Sequence, residues 1–452
     1  MKMDTVLKGG TIITENDSFV GQIGILNEKI AVVAGMDVNL KSNEVIELTG
    51  KYILPGAIDP HVHFQDPGFT EREDFTHGTM AAAAGGITTV ISHPLDFPPT
   101  TTLEAVRVKE EAYKGKAYVD YAIHIGATSQ NVDKISELWE QTGATAIKMF
   151  MCDSVKEFPF VEDEQLIKVL SKVAKEDAVA IIHCENNALN KIMEEQFKRE
   201  GRTDPAAFNC SHSKESEIEA IQRAIYFAEI TGAKIVILHV STAEGLRMIH
   251  SAKERGVKVW AESAPHMFHF IDKDMDKKGA LLKFTPVMHD AKNQEEMWKL
   301  AGKGYVDSIG SDHSPYTLEE KNRGKENIWK APNGIPGIET SLMVFLDGVN
   351  KGKLTLNQVA KMTSTNTAKI YGLYPNKGSI QVGTDADFTI IDLEKEKMVQ
   401  VEQLKSKCKW SPYIGDCFKG EVAMTVVRGK VVYKDGEIIG QMGYGKYQHR
   451  NK

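Results

Sequence analysis

The sequence predicts an α/β protein: a TIM-type (β/α)8 barrel flanked by a small β-sandwich domain to which both chain ends contribute. Three observations carry this. Between about residues 53 and 379, apolar stretches of roughly five residues alternate with stretches of helical periodicity. Eight such apolar stretches can be drawn, the number that closes a barrel of repeated βα units. The two ends instead carry short alternating segments broken by turn residues, with little helix.

Taken in order, residues 1–52 hold short segments at 6–7, 11–14, 23–26 and 30–34, interrupted by Gly9-Gly10, Asn27-Glu28 and Gly35. The barrel strands are expected at 57–62, 88–92, 119–125, 146–151, 179–183, 235–239, 257–261 and 306–311. Helices follow most of them, for example over 215–229 and 243–255, and Gly85-Gly86 and Gly232 stand where a helix stops before the next strand. After about residue 380 short strands return at 388–391, 424–427 and 430–433, with Asp435-Gly436 as a hairpin turn. Residues 1–52 and 380–452 therefore form the β-domain, and 53–379 the barrel.

Composition excludes several classes. A net charge of −7 over 452 residues, with no Lys/Arg run interleaved with aromatics, offers no face for nucleic acid. Cys152, Cys184, Cys210, Cys408 and Cys417 are scattered without a CxxC pair, which reads as reduced thiols in a cytoplasmic protein. No apolar run approaches a membrane span, and the first residues lack a signal-peptide core.

His61-Val62-His63 ends the first barrel stretch, where i and i+2 share a face. Active sites of this fold lie at the C-terminal strand ends, so the polar residues there can be collected: Lys148 on the fourth stretch, His183 on the fifth, His239 on the sixth and Asp312 on the eighth. Four imidazoles and a carboxylate exceed what one tetrahedral catalytic ion needs, so two ions are the better reading. Lys148 is either a snorkelling or ion-paired lysine, or, if burial keeps it neutral, an amine that carbon dioxide converts to an anionic carbamate able to bridge two metals. No GxSxG elbow is present, and Ser314 and Cys184 read as a loop hydroxyl and a small apolar filler. His313 reads as a partner for a ligand or as a structural hydrogen bonder, and Glu262 and His266 as further residues of the seventh strand end.

The strings DPHVHF, DPGFTEREDFTHGTMAAAAGGITT, IKMFM, HCENN, LHVSTAEG, ESAPHM, GSDHSP, NGIPGIET and KGSIQVGTDADF, in that order along nearly the whole chain, resemble the cyclic amidohydrolases of the amidohydrolase superfamily. That group includes hydantoinases, dihydropyrimidinases, allantoinases and dihydroorotases. The resemblance implies His61, His63, Lys148 and Asp312 on one metal, His183 and His239 on the other, and Lys148 as bridging carbamate. The ions would be divalent transition metals, zinc first, with manganese, cobalt or iron suiting the same ligands. It further implies hydrolysis of a ring amide with Asp312 as ligand and general acid/base, ring contacts from the backbone around Thr285 and Asn333, and a homotetramer or dimer.

Departures from the family patterns bear on the substrate. Dihydroorotases follow HVH with a residue and then Arg, which grips a carboxylate; here the residue is Gln65, a neutral amide. D-selective hydantoinases and dihydropyrimidinases place Tyr five residues after the bridging Lys, where this chain has Asp153. Residues 148–154 with Glu157-Phe158-Pro159 resemble the allantoinase loop, and 94–100 is similar to both allantoinases and L-selective hydantoinases. Residues 329–334, 339–342 and 348–352 look like L-selective hydantoinases. The expected substrate is a five-membered cyclic ureide of hydantoin or allantoin type, with dihydropyrimidine or dihydroorotate rings as the alternative. Val287-Met288-His289 stands where relatives commonly have Pro-Leu-Arg, which leaves the role of that loop open, a surface position for His289 being one alternative. Some relatives of this fold have lost their ligands and act as scaffolds; none of the ligand positions is substituted here.

Overall fold

Residues 2–451 are described in the computed structural model. The N-terminal segment folds into β1 (Met3–Ile13), β2 (Ser18–Leu26), β3 (Lys29–Ala34), β4 (Ser42–Glu47) and β5 (Tyr52–Pro55). Gly9-Gly10 does not end a strand: Gly9, at φ +80°, makes a bulge between Lys8 and Gly10 within β1. Asn27 and Glu28 both adopt positive φ and close the tight β2–β3 hairpin.

The barrel strands are β6 (Ala57–Val62), β7 (Ile87–Ser92), β8 (Asp120–Ile123), β9 (Ile125–Gly126), β10 (Ile147–Phe150), β11 (Val179–His183), β12 (Lys234–Ile237), β13 (Val259–Ser263) and β14 (Ser308–Ile309). Pairing is parallel throughout, and the ends meet where Val62 bridges His313. The structure is thus a (β/α)8 barrel whose third strand is interrupted. His124 separates β8 from β9 because its ring turns inward, bonding the Pro60 carbonyl through Nε2 at 3.1 Å and Thr145 Oγ1 through Nδ1 at 3.0 Å. The eighth strand is shorter than expected: past Ile309 the Ser311 N–H goes to the side-chain Oδ1 of Asp59 on β6 instead of to a backbone carbonyl.

The chain then returns to the β-domain with β15 (Phe388–Met398), β16 (Cys417–Val427), β17 (Lys430–Lys434) and β18 (Glu437–Ile438). Antiparallel β5–β15 pairing joins the two ends into one nine-stranded sheet of the β-sandwich. β5 belongs to that sheet, so it reaches Pro55, beyond residue 52. Residues 443–451 leave the sheet and run along the barrel floor, where Tyr121 N bonds Lys446 O and Gln448 N bonds Tyr121 O. Inside the barrel, Ile58, Ile91, Ala122, Ala146, Ile181 and Val236 pack on Tyr371 and Leu373 and close its lower end. Chemistry is left to the upper end.

Candidate metal centre and substrate cavity

Side-chain alternation aims the first groups. Ala146 and Ile181 point into the barrel, so Lys148 and His183, two residues on, point the same way and stand above them. The other ligand positions need local departures from the strand. β6 shifts register between Asp59 and Val62, with Asp59 Oδ1 accepting from His61 N at 3.1 Å. His239 and Asp312 lie just past their strands in the left-handed region, at φ +36° and +48°. Non-glycine residues held there cost about 1–3 kcal/mol, a strain that collects at functional sites. Here it turns both side chains into one cavity.

That cavity, about 460 Å³, is lined by His61, His63, Lys148, His183, His239, Asp312, Thr285 and Asn333, which brings every residue singled out for metal or ring contact to one place. A crevice of about 560 Å³ beside β15 and β16 contains no imidazole. Asp312 Oδ1 lies 3.2 Å from His61 Nε2 and 3.4 Å from His63 Nε2. His183 Nδ1 faces His239 Nε2 at 3.0 Å.

The outer nitrogens explain the inner ones. His61 Nδ1 meets Glu262 Oε1 at 2.7 Å, and His183 Nε2 meets Glu185 Oε2 at 2.6 Å. A carboxylate at one ring nitrogen holds the proton there and leaves a lone pair on the other. Burial lowers the pKa of all four histidines, His61 and His239 well below the ordinary value, so they are neutral ligands. Burial alone would raise the Asp312 carboxyl, but the surrounding imidazoles hold it far below the usual range. The inner lone pair of His61 Nε2 thus faces the Asp312 carboxylate, and His239 Nδ1 is buried without a partner among the described residues, a conflict for buried polar groups. A cation set among them removes that conflict, so the donors fit a metal centre.

Lys148 is buried, and burial lowers its pKa to about 8. Among the described residues no carboxylate lies in ion-pairing distance; the ammonium sits 4.3 Å over the Phe150 ring. The ion-paired reading of this lysine is therefore set aside.

Other expectations change. His289 is not a surface residue: its Nε2 lies 3.1 Å from Ser241 Oγ, and it stands outside the cavity lining. Asp153 is exposed and paired with Lys191, also away from the cavity, whereas Tyr316 lines the wall. His313 serves the barrel seam, its carbonyl accepting from His63 N at 2.8 Å and its Nδ1 from Gly337 N at 3.2 Å. His266 packs on Phe284 with both ring nitrogens unpartnered among the described residues. Glu262 holds His61, and Cys184 is buried filler.

Sequence reasoning passed over Glu185, which also meets His212 Nδ1 at 2.7 Å, and His93, whose ring stacks on His61 at 3.8 Å. His93 follows β7 directly, so the strand-end rule would have found it. Gln65 lines the cavity as well. The nearby Arg72 is bound by Glu320 at 2.7–3.2 Å and sandwiched between Phe69 and Tyr316.

A parallel barrel with this donor set at its upper rim defines a metal-dependent hydrolase. Residues 52–432 match the model of the Amidohydrolase family, and the chain belongs to that family, among its cyclic amide hydrolases. It is 34% identical to an L-hydantoinase of Paenarthrobacter aurescens, over 99% of this chain and 98% of that one. Identity to an allantoinase of Desulfitobacterium hafniense is 35%, over 97% of each. The solved structure of an L-hydantoinase (dihydropyrimidinase) from Arthrobacter aurescens superposes with a TM-score of 0.97, at 34% identity, covering 99% of this chain and all of the other. Family membership implies a binuclear metal centre. No helix of the described residues is long and apolar enough to cross a membrane.

Proposed function

We propose that the chain opens the ring amide of a five-membered cyclic ureide, of hydantoin or allantoin type, to an N-carbamoyl acid. The observation that carries this is the convergence of His61, His63, Lys148, His183, His239 and Asp312 on one cavity floor beneath Thr285 and Asn333. The barrel does the chemistry, with the β-domain built from both chain ends, and reaching Pro55, beside it. His61, His63, Asp312 and the Lys148 carbamate would hold one ion, and His183, His239 and the same carbamate the other; zinc suits these ligands, as do manganese, cobalt and iron. When bound, the ions supply Lewis acidity that polarises a carbonyl and lowers the pKa of water.

The buried amine of Lys148 adds to carbon dioxide, forms an N–C bond and sheds a proton, which turns a misplaced cation into an anion. Asp312 takes a proton from the attacking water and delivers it to the ring nitrogen as the C–N bond breaks. Glu262 and Glu185 keep His61 and His183 in the ligating tautomer. Backbone groups around Thr285 and Asn333 hold the ring ureide; the Asn333 Oδ1, buried and without a partner among the described residues, supports this as an acceptor for a ring N–H.

Gln65 is a neutral amide, and Arg72 on the same wall is already held by Glu320 through Nε and Nη2, which supports a neutral ureide over a ring carboxylate. The five unpaired cysteines support a reducing, cytoplasmic setting. Exposed Ile192, Tyr226 and Ile230 support a homotetramer or dimer. Metal analysis with assays on allantoin, hydantoin, D- and L-benzylhydantoin, dihydrouracil and dihydroorotate tests the reading. About two metal equivalents and best turnover of a hydantoin ring are expected. Dihydroorotate as best substrate, or turnover by metal-free protein, overturns it.

A further inference from the structure

Lys321 lies behind the cavity wall and Lys283 in its lining, and among the described residues neither is ion-paired with a carboxylate. Lys321, on the short helix Leu318–Asn322, is fully buried. Its Nζ donates to the carbonyls of Lys283 at 3.0 Å, Pro332 at 3.0 Å and Gly334 at 2.9 Å. Lys283 Nζ donates to the Ala331 carbonyl at 2.6 Å. These acceptors flank the two residues given to ring binding: Lys283 is two before Thr285, and Pro332 and Gly334 enclose Asn333. Gly334 N also bonds Lys283 O at 3.0 Å, so the two segments already touch at one point.

A buried ammonium without a counterion costs several kcal/mol unless dipoles replace its hydration. Burial, and then the neighbouring Lys283, push the Lys321 pKa down. Three acceptors at hydrogen-bond distance nevertheless call for three N–H bonds, which only the ammonium has. The cage and the charge therefore depend on each other: remove the ammonium, and the Pro332 and Gly334 carbonyls lose a buried donor. Glu320, the preceding residue, holds Arg72. One helical turn thus anchors both the loop after β6 and the ring-binding segments.

We infer that Lys321 is the positioning residue of the ureide site: its ammonium fastens residue 283 to residues 332 and 334 and thereby sets the spacing between Thr285 and Asn333. The inference rests on the function proposed above for those two residues. Lys321 touches no reacting atom. It acts on how well the ring is held, not on the metals or on Asp312.

Lys321→Met keeps the length of the side chain and deletes the donor. KM for the best cyclic ureide should rise about tenfold or more, with kcat within about threefold of wild type. Metal content should be unchanged, and amide exchange over residues 331–335 should quicken about tenfold while β10 and β11 keep their protection. A wild-type KM, or wild-type exchange in that segment, overturns the inference. If Lys321→Met does not fold, Lys283→Met, which removes the Ala331 bond and the ammonium over the Phe208 ring at the cavity lining, is read by exchange alone; unchanged exchange over residues 331–335 overturns the inference equally. Wild-type protein that turns over no cyclic ureide would sink the functional reading instead, and the exchange measurement would still decide whether the clamp exists.

Discussion

Glu262→Gln should weaken metal binding about tenfold while leaving the fold intact. Glu262 Oε1 lies 2.7 Å from His61 Nδ1, and both side chains are at most 1% exposed. Burial pushes the Glu262 carboxyl well above its ordinary range. A cation bound by His61 opposes this and favours the ionised form, whose hydrogen bond contributes roughly 1.5–3 kcal/mol, against about 0.5–1.5 for a neutral pair. Loss of the charge alone then costs about 1–1.5 kcal/mol, or close to a factor of ten in affinity. Gln keeps the shape and an acceptor oxygen, which matters because a Cβ at Gly310 would already approach Glu262 Oε1 within 2.9 Å. Competition with a chromogenic chelator, on zinc-loaded wild type and variant, measures the change directly. An affinity within about twofold of wild type would refute the idea that the carboxylate behind His61 sets its donor strength.

Lys148→Ala should lower kcat/KM by more than about a hundredfold, the upper end for loss of a mere supporting partner, and a short carboxylate added to the assay should restore part of it. No restoration at any concentration would count against a carbamate at this position. Burial raises the Glu217 carboxyl to about 7 from its ordinary 4.5, so its contribution to stability is complete below pH 4.5 and is lost as pH climbs to 7. Glu217→Gln, which retains an acceptor for the Ser241 N–H at 2.7 Å, should therefore raise the Tm at pH 8, by a gain of roughly 3 kcal/mol, and leave it unchanged at pH 4; the same gap at both pH values would contradict this. Gly334→Ala places a Cβ 2.4 Å from the Ser314 carbonyl oxygen at a φ of +142°. A loss of about 1–3 kcal/mol and a higher KM are expected, checked by thermal melts and steady-state kinetics.

The parts legible in the sequence were those written in local periodicity. Residues 146–151 and 179–183 are apolar runs of strand length broken only by Lys148 and His183, and both polar side chains line the cavity. His239 and Asp312 were found because they follow apolar stretches, although neither lies in a strand. The left-handed turn that aims each of them is not announced by residue type, since His and Asp tolerate such a φ but adopt it in only a minority of positions. β14 stops at Ile309 because the Ser311 N–H goes to the Asp59 side chain of β6, 252 positions away, and not to a backbone carbonyl. Asp153 and His289 stood out as breaks in a pattern, yet both face away from the cavity.

The sequence by itself determined the barrel, the order of its strands and the identity of six groups at their ends, because strand and helix periods are local and the C-terminal rim follows from the fold. Only the tertiary structure decided which nitrogen of each imidazole faces inward and what gathers the ring-binding segments. His61 meets a carboxylate 201 residues away, and the segments around Thr285 and Asn333 meet one ammonium that bonds carbonyls 38, 11 and 13 residues distant. Such contacts form when the barrel closes and brings distant loops together over one rim, and no pattern along the chain encodes the distance between them.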